Sequence, residues 1–400
     1  MNKKQFLILA VLVIALGGAG LLLLRKQSAS WNQSGQRFGE KLLGTFDLNA
    51  VTQISIKQGT NDLNLVRKGE QWTVRERNGY PASFGEISDL VRKLAELKVT
   101  QTEQVGPSMR PRLELIEPGK GTNSGTLVEL KADDKVLKSL LLGKKHIRSG
   151  GQASPMGDEG FPDGRYVLIG NSDSVALVSD PLATVEPNPS TFLVKDFFKI
   201  EKARAISYQS QIATNSWKLT RESETNDWKL ADLKAGEELD VNKVSGIGNA
   251  LISPGFVDVV AVAKPEQTGL DKATTIILET FDNQTYTLKV GGKSGEDNHY
   301  FTVAVKANIP SSRVAGKDEK PEDKAKLDKE FADAKTKLEE KLKAEQKLEP
   351  WTYLVAKWTV DPILRDRHQL FVEKKEDKAP VPGQLFQGGL PGGLPGGLPQ

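Results

Sequence analysis

Histidines and a lysine-containing glycine loop are the residues of this chain whose types most readily suggest a metal or phosphate site. His146, His299 and His368 stand far apart, without the short spacing that brings two imidazoles onto one metal ion. The stretch GGKSG at 291–295 contains the Gly-Lys-Ser of a phosphate-binding loop, but Thr287 occupies the position of that motif's first glycine. We therefore expect no metal and no cofactor, and we interpret GGKSG as a turn and His146 as part of a basic surface turn.

Acid–base and nucleophilic catalysis also lack a recognisable arrangement. The chain contains no Gly-x-Ser-x-Gly stretch, and no two of its scattered carboxylates stand out as a general acid and base. It contains no cysteine, which excludes disulfides, thiolate catalysis and cysteine-ligated zinc. We therefore predict no catalytic residues and a protein that is not an enzyme.

The overall charge argues against a nucleic-acid partner. The 400 residues include 55 basic and 52 acidic side chains, for a net charge of +3, which is too even for a strongly basic binding surface. Hydrophobic residues make up 38% of the chain, enough for a substantial core. The length is sufficient for two or three domains.

The N-terminus has the features of a membrane anchor. Residues 6–24 are uncharged and almost wholly apolar, behind Lys3 and Lys4. As a helix they would span about 28 Å, close to the ~30 Å hydrocarbon core of a bilayer. The alternative is a cleaved signal peptide, whose apolar region is shorter and ends at a small-residue site. We predict an uncleaved single span with the C-terminal part outside the cytoplasm.

Two parts of the chain repeat one order of predicted elements. A hairpin with Trp72 is followed by an amphipathic helix, with Ile87, Leu90 and Leu94 on one face. A hairpin with Trp228 is likewise followed by a helix, whose apolar residues Val244, Ile247 and Leu251 match at a constant offset of 157. Strand pairs follow in both parts. We predict a tandem duplication, with both tryptophans packed in their cores rather than forming stacking platforms.

The predicted fold class is α+β, with an N-terminal transmembrane helix followed by two tandem repeats. Each repeat has a mixed, mainly antiparallel sheet with helices on one side. The predicted boundaries are 1–38 for the anchor and linker, 39–199 and 200–372 for the repeats, and 373–400 for a disordered Gly/Leu/Pro tail with three GGLP units.

A charged insertion interrupts the second repeat. Residues 316–349 consist mostly of Lys, Glu, Asp and Ala, with one narrow apolar stripe at helical spacing. The pattern predicts one long helix. It is interpreted either as a solvated spacer or as a coiled-coil-like arm that contacts a partner. The candidate partner contacts are Leu327, Phe331, Leu338 and Leu342.

Several stretches resemble a known family. GEQWTVRERNGYPASFGEISDLVRKLAELKV, RLELIEP, GRYVLI and NDWKLAD with LDVNKV are similar to bacterial membrane-anchored proteins catalogued as domain of unknown function 4340. The resemblance covers most of residues 40–310 and resumes at 351–372. It implies a single-span envelope protein, often encoded beside a gliding-type ABC transporter, and it supplies no catalytic residues. The charged insertion and the GGLP tail depart from the common pattern.

These observations lead to one main expectation and two alternatives. The main one is a non-enzymatic accessory protein of the bacterial cytoplasmic membrane, with the membrane subunits of an ABC transporter as possible partners. The first alternative is a module that binds an envelope glycan or polyanion, which requires an aromatic and basic groove between the repeats. A hydrolase is less favoured because no catalytic arrangement supports it. The sequence leaves the oligomeric state open.

Overall fold

The computed structural model describes residues 38–147, 161–170, 174–261, 263–315 and 319–373. The predicted anchor at 6–24 and the GGLP tail lie outside these residues. Within the described ranges, no helix combines the length and the apolar character that crossing a bilayer requires.

The first half of the described chain forms one antiparallel sheet of nine strands. A single helix, α1 (Phe84–Glu96), lies between the fourth and fifth strands in the sequence. The strands are β1 (Gln53–Gln58), β2 (Asn61–Lys68), β3 (Gln71–Val74), β4 (Tyr80–Pro81), β5 (Val99–Gln104), β6 (Thr126–Ala132), β7 (Lys135–Ile147), β8 (Pro162–Ile169) and β9 (Ser174–Val178). Their order across the sheet is β4-β3-β2-β1-β6-β7-β8-β9-β5.

The second half forms an antiparallel sheet of eight strands. Its strands are β10 (Ala203–Gln209), β11 (Trp217–Thr220), β12 (Lys229–Leu230), β13 (Asp258–Val259), β14 (Thr274–Thr280), β15 (Gln284–Ser294), β16 (Asn298–Ala307) and β17 (Tyr353–Ala356). Its helices are α2 (Val241–Ala250), α3 (Pro265–Thr268), α4 (Pro321–Gln346) and α5 (Lys357–Val360). The order of strands is β12-β11-β10-β14-β15-β16-β17-β13.

The two sheets have one topology. When β10 is placed on β1, each strand of the second sheet takes the position of its counterpart in the first, and only β4 has none. The register agrees as well, because Ile54 faces Leu65 in one sheet and Ile206 faces Leu219 in the other. This agreement confirms the repeated sheet architecture of an α+β protein. The residue boundaries proposed for the repeats remain a prediction.

Alternating apolar residues explain which side of each strand is buried. Ile54, Ile56, Leu63 and Leu65 are all fully buried, as expected where one face of an antiparallel sheet packs on a core. Helix α1 covers that core through the residues predicted from its spacing, and its N-cap Ser83 accepts a hydrogen bond from a backbone amide. Val244 and Ile247 of α2 are buried in the same manner.

The two tryptophans occupy equivalent positions but differ in burial. Trp72 is only 6% exposed and belongs to the core. Trp228 is half-buried: one face packs towards α2 at Gly248, and the guanidinium of Arg221 lies 4.6 Å from its ring centroid. The prediction of core packing is thus confirmed for Trp72. For Trp228 it holds in part: the ring packs against the core, but an arginine rather than apolar side chains covers part of it.

Each repeat brings a loop against a glycine in its longest strand, which is β7 in the first repeat and β15 in the second. A side chain at Gly143 would overlap the carbonyl of Leu113, and one at the equivalent Gly291 would overlap that of Thr268. The residue after each carbonyl has a left-handed backbone, with φ 57° at Glu114 and φ 68° at Gly269. The same contact is therefore made with a strained residue in one repeat and an unstrained glycine in the other.

Two turns predicted from the sequence are parts of strands. His146 lies near the end of β7 opposite Gly164, and its Nδ1 is 2.6 Å from Asp163 Oδ1. The GGKS residues form the end of β15, where the register shifts between Val290 and Lys293. These predictions were wrong because pairing with β8 and β16 extends both strands beyond their apolar parts.

Candidate functional site: helix α4 and the junction between the repeats

Helix α4 places the four predicted contact residues on one side. Leu327, Phe331, Leu338 and Leu342 are all half-buried, while most of their neighbours on the helix are exposed. Leu342 packs against the main core, and Phe331 and Leu338 line a cleft beside the helix. The stripe therefore faces the second repeat, and α4 is not a free coiled-coil arm.

The C-terminal end of α4 is held by a buried carboxylate. Glu345 is 6% exposed; its Oε1 accepts a hydrogen bond from Lys199 N at 3.0 Å, and its Oε2 accepts one from the Tyr286 hydroxyl at 2.8 Å. Burial and the neighbouring carboxylate raise the pKa of Tyr286 well above its usual value, so the hydroxyl keeps its proton. Glu349 adds a bond from Val305 N at 2.9 Å. These bonds fix the C-terminal end of the helix to the segment that joins the repeats and to strands β15 and β16.

The N-terminal half of α4 is held by Arg313, which precedes the helix. Its Nε and Nη2 donate to Asp328 Oδ1 at 3.0 and 2.8 Å, and Nη2 also donates to Glu319 Oε1 at 2.6 Å. The hydrogen bonds to the two carboxylates raise the pKa of the guanidinium, which stays charged. Because α4 is fastened near both ends, the surface between the two fastenings is pre-formed.

A cleft of about 490 Å³ lies between those fastenings. One wall is the middle of α4, and the other is formed by the β14–β15 turn and the start of the segment that leaves β16. Its lining is Glu201, Lys202, Phe281, Asp282, Asn283, Gln284, Ile309, Pro310, Phe331, Ala334, Lys335, Lys337, Leu338 and Lys341. We name it the α4 cleft; its size is that of a typical ligand cavity.

A bidentate ion pair joins the two repeats. Arg77 Nε and Nη2 donate to the two carboxylate oxygens of Asp258 at 2.8 and 2.6 Å, and both side chains are about one-fifth exposed. The hydrogen bond to Asp258 raises the pKa of Arg77. On the same side of the junction, Lys195 Nζ donates to Val257 O at 2.7 Å. Paired charges in this geometry fix the position of the 3-10 turn between β3 and β4 relative to β13.

Aromatic side chains fill the junction beside this pair. Tyr80 of the first repeat lies edge-on to Trp351, Phe256 and Tyr353 of the second, with centroid distances of 4.9, 6.0 and 6.3 Å. Phe197 lies 4.8 Å from Tyr353. Burial raises the pKa of the Tyr80 hydroxyl to about 12. Edge-on aromatic pairs add stability beyond their buried area.

A second cleft, of about 310 Å³, opens at this junction. Tyr80, Pro81, Phe197, Leu348 and Trp351 provide its apolar lining, and Asp196, Glu345 and Lys347 are its charged groups. We name it the junction cleft. The groove required by the glycan alternative is aromatic, as expected, but its charges are mixed rather than basic.

The residues considered first for chemistry are not brought together. His146 bonds to Asp163, His299 Nδ1 lies 3.3 Å from Gly291 O, and His368 is exposed on a short 3-10 turn. In the part of the chain that the structure describes, no three His, Asp or Glu side chains are grouped closely enough to hold a metal ion.

Sequence reasoning missed the junction residues Arg77, Tyr80, Asp258 and Trp351. They lie in short loops and two-residue strands, where no periodicity is visible. The one available signal was an aromatic residue beside proline, in Tyr80-Pro81 and in Pro350-Trp351. Such pairs are compatible with many structures, so the signal could not have identified the partners.

Comparison with known proteins identifies a family. The sequence profile described as Domain of unknown function (DUF4340) matches residues 72–273, which is half of the chain. The matched part contains the junction residues Arg77, Tyr80 and Asp258 and ends before α4. No curated protein and no solved structure matches the chain. Because the profile covers half of its residues, the chain belongs to the family described as Domain of unknown function (DUF4340).

Proposed function

We propose that this protein is a non-enzymatic accessory protein of the bacterial cell envelope. Residues 6–24 hold it in the cytoplasmic membrane, and the two repeats lie outside the cytoplasm. There it acts by contacting other proteins, among which the membrane subunits of a gliding-type ABC transporter are the leading candidates.

The observation that carries this proposal is the use made of four charged groups whose side chains are at most about one-fifth exposed. Arg77 and Asp258 join the repeats, Glu345 fastens α4 to Tyr286, and Arg313 holds the other half of the helix. Each of these groups connects separate parts of the chain, as in a rigid scaffold that presents surfaces. Glu345 also lines the junction cleft, but both of its oxygens already accept hydrogen bonds from the chain itself. Perturbed groups in an active site are instead directed into a cleft where a substrate can reach them.

Membrane fractionation and co-purification test the proposal. The full chain should stay in the membrane pellet after alkaline carbonate washing, and protease added to spheroplasts should digest the repeats. After mild cross-linking, a tag at the C-terminus should recover the transporter's membrane subunits in stoichiometric amounts. A soluble chain with a processed N-terminus, or recovery of the subunits no better than from an untagged strain, would contradict the proposal.

The junction cleft favours a second candidate, a module that binds a small envelope ligand such as a glycan fragment. Trp351 is half-buried at its mouth, and Asp196 is exposed there without an ion pair among the described residues. Saturation-transfer NMR with muropeptides tests this candidate. It gains support if Trp351→Ala removes the signal while Trp358→Ala, which alters an exposed tryptophan elsewhere, leaves it unchanged. A signal that survives Trp351→Ala argues against it.

A further inference from the structure

The α4 cleft has an excess of positive charge that its own acids do not neutralise. Of its two carboxylates, Glu201 lies 3.7 Å from Lys341 and Asp282 lies 3.5 Å from Lys202. Two lysines remain. Lys335 is 3.8 Å from Glu339, which does not line the cleft. Lys337 has no ion-pair partner among the residues that the structure describes.

The apolar lining is arranged between these lysines. Phe331, Ala334 and Leu338 form one wall, and Phe281, Ile309 and Pro310 face them across the gap. The two bulky side chains of the α4 stripe in this cleft, Phe331 and Leu338, are only half-buried, so the gap between the walls is open to them. A gap of this kind gives apolar side chains of another molecule a place that excludes water, and lysines at its rim favour carboxylates beside them.

We propose, building on the function proposed above, that the α4 cleft binds an acidic amphipathic segment of a partner protein. Apolar side chains of that segment insert between α4 and the β14–β15 turn, and its carboxylates pair with Lys335 and Lys337. This assignment names the surface and the chemistry of the partner, which the accessory role leaves open.

Neither a second copy of α4 nor the C-terminal tail has this chemistry. A second copy of α4 presents nearly equal numbers of Lys and of Asp plus Glu, so it does not complement a positive rim. Residues 374–400 begin with three lysines and two acids and continue with uncharged GGLP units. Charge complementarity therefore favours a separate, acidic partner over both.

Site-specific photo-cross-linking in cells that make the full chain tests the proposal. A benzoylphenylalanine replaces Leu338 inside the cleft in one strain and Lys329 in another. These positions are nine residues apart, which is half a turn around the helix. Lys329 is exposed, so it serves as the matched control. Cross-linked peptides are then identified by mass spectrometry.

We expect Leu338 to cross-link a peptide of net negative charge from another protein, and Lys329 to give no such product. The captured peptide, made synthetically, should bind the detergent-solubilised full chain. In fluorescence anisotropy, Lys337→Glu should weaken that binding by about fivefold, whereas Lys329→Glu should leave it unchanged. Higher salt should weaken binding to the unaltered chain.

Other outcomes overturn the proposal. These are no product at position 338, a product within the chain or with a second copy, a neutral or basic peptide, or equal weakening by the two charge reversals. The accessory role is judged separately. If the transporter subunits co-purify undiminished with the Lys337→Glu chain, that role stands and only the α4 cleft assignment falls.

Discussion

The two repeats have the same strand order but complete their cores differently. In the first, Trp72 is 6% exposed and lies among apolar neighbours. In the second, Trp228 is half-buried beneath Arg221, whose Nε donates to Ala203 O at 2.6 Å. Burial lowers the pKa of Arg221, because its charge sits partly out of water. A duplicated fold thus keeps a tryptophan position while its surroundings change from apolar to cationic.

The loop contact at Gly143 of β7 and at Gly291 of β15 shows the opposite trend. Here the second repeat has the unstrained residue, Gly269, and the first repeat has Glu114 in a left-handed conformation. The difference teaches that topology is retained by contacts rather than by particular residues. Each repeat has local features that lower its stability, and the following substitutions measure their effect on the free energy of unfolding.

The largest difference in stability between equivalent substitutions in the two repeats should come from the tryptophans. Trp72→Ala should lower the free energy of unfolding by about 3–5 kcal/mol, since it empties a buried core position. Trp228→Ala should cost about half as much, because part of its ring is already in contact with solvent and Arg221. Urea denaturation followed by circular dichroism measures both, and Trp358→Ala, at an exposed site, is the control. Equal losses at both positions would remove the distinction between the cores.

The joint between the repeats should give the next largest effect. Arg77→Ala leaves the carboxylate of Asp258 without its bidentate donor, at a cost of about 1.5–3 kcal/mol. Calorimetry should then show two unfolding transitions in place of one, because the repeats lose their main polar connection. Arg92→Ala removes an exposed pair with Asp89 and should change nothing measurable. A single unshifted transition in the Arg77 variant would show that the aromatic cluster alone couples the repeats.

Two glycines of α2 should respond in opposite directions. A side chain at Gly248 would meet the Trp228 ring, with its Cβ 2.8 Å from Nε1, whereas one at Gly246 would meet nothing. Gly246→Ala should stabilise the chain by about 0.5–1 kcal/mol through the better helix propensity of alanine. Gly248→Ala should destabilise it by about 1 kcal/mol, because overpacking outweighs that gain. Thermal melting of the two variants compares them directly, and a stabilising Gly248→Ala would mean that Trp228 is not fixed against α2.

The smallest effect should come from Glu114. Glu114→Gly relieves the strain of the left-handed backbone, but it also raises the conformational entropy of the unfolded chain. The net increase in the free energy of unfolding should be about 0.5 kcal/mol. Glu114→Gln keeps the strained backbone and removes only the charge, so the difference between the two variants isolates the strain. Chemical denaturation with closely spaced points resolves it. If both variants have the same stability, the backbone at this position is not strained.

Much of the sheet architecture follows from alternation and helix periodicity alone. Ile54 and Ile56 of β1, and Leu63 and Leu65 of β2, alternate with other residues in the sequence, and all four are buried. Where the pattern is polar or very short, prediction fails: β5 reads VTQTEQ, and β4 and β13 have two residues each. Pairing with a neighbour defines such strands, and pairing is not a local property of the sequence.

The candidate site was predictable only in part. The apolar stripe of α4 was visible in the sequence, as was its N-terminal Pro321, which begins the observed helix. What the stripe faces was not, because the opposite wall comes from the β14–β15 turn. The sequence likewise does not distinguish the buried Glu345 from the other charged residues of α4. Its role depends on Lys199 and Tyr286, which lie far away in the sequence.

The position of α4 in the chain also has a consequence for the order of folding. In the first repeat, residues 170–173 join β8 to β9, whereas residues 308–352 join the equivalent strands β16 and β17. Closing the longer connection costs up to about 2 kcal/mol more in chain entropy. If this cost is paid before the strands pair, formation of the pair slows by about thirtyfold. Pulsed hydrogen exchange during refolding should therefore find the amides of β8 and β9 protected first, and simultaneous protection would contradict this order. The insertion that forms the cleft of the second repeat should therefore also delay the folding of that repeat relative to the first.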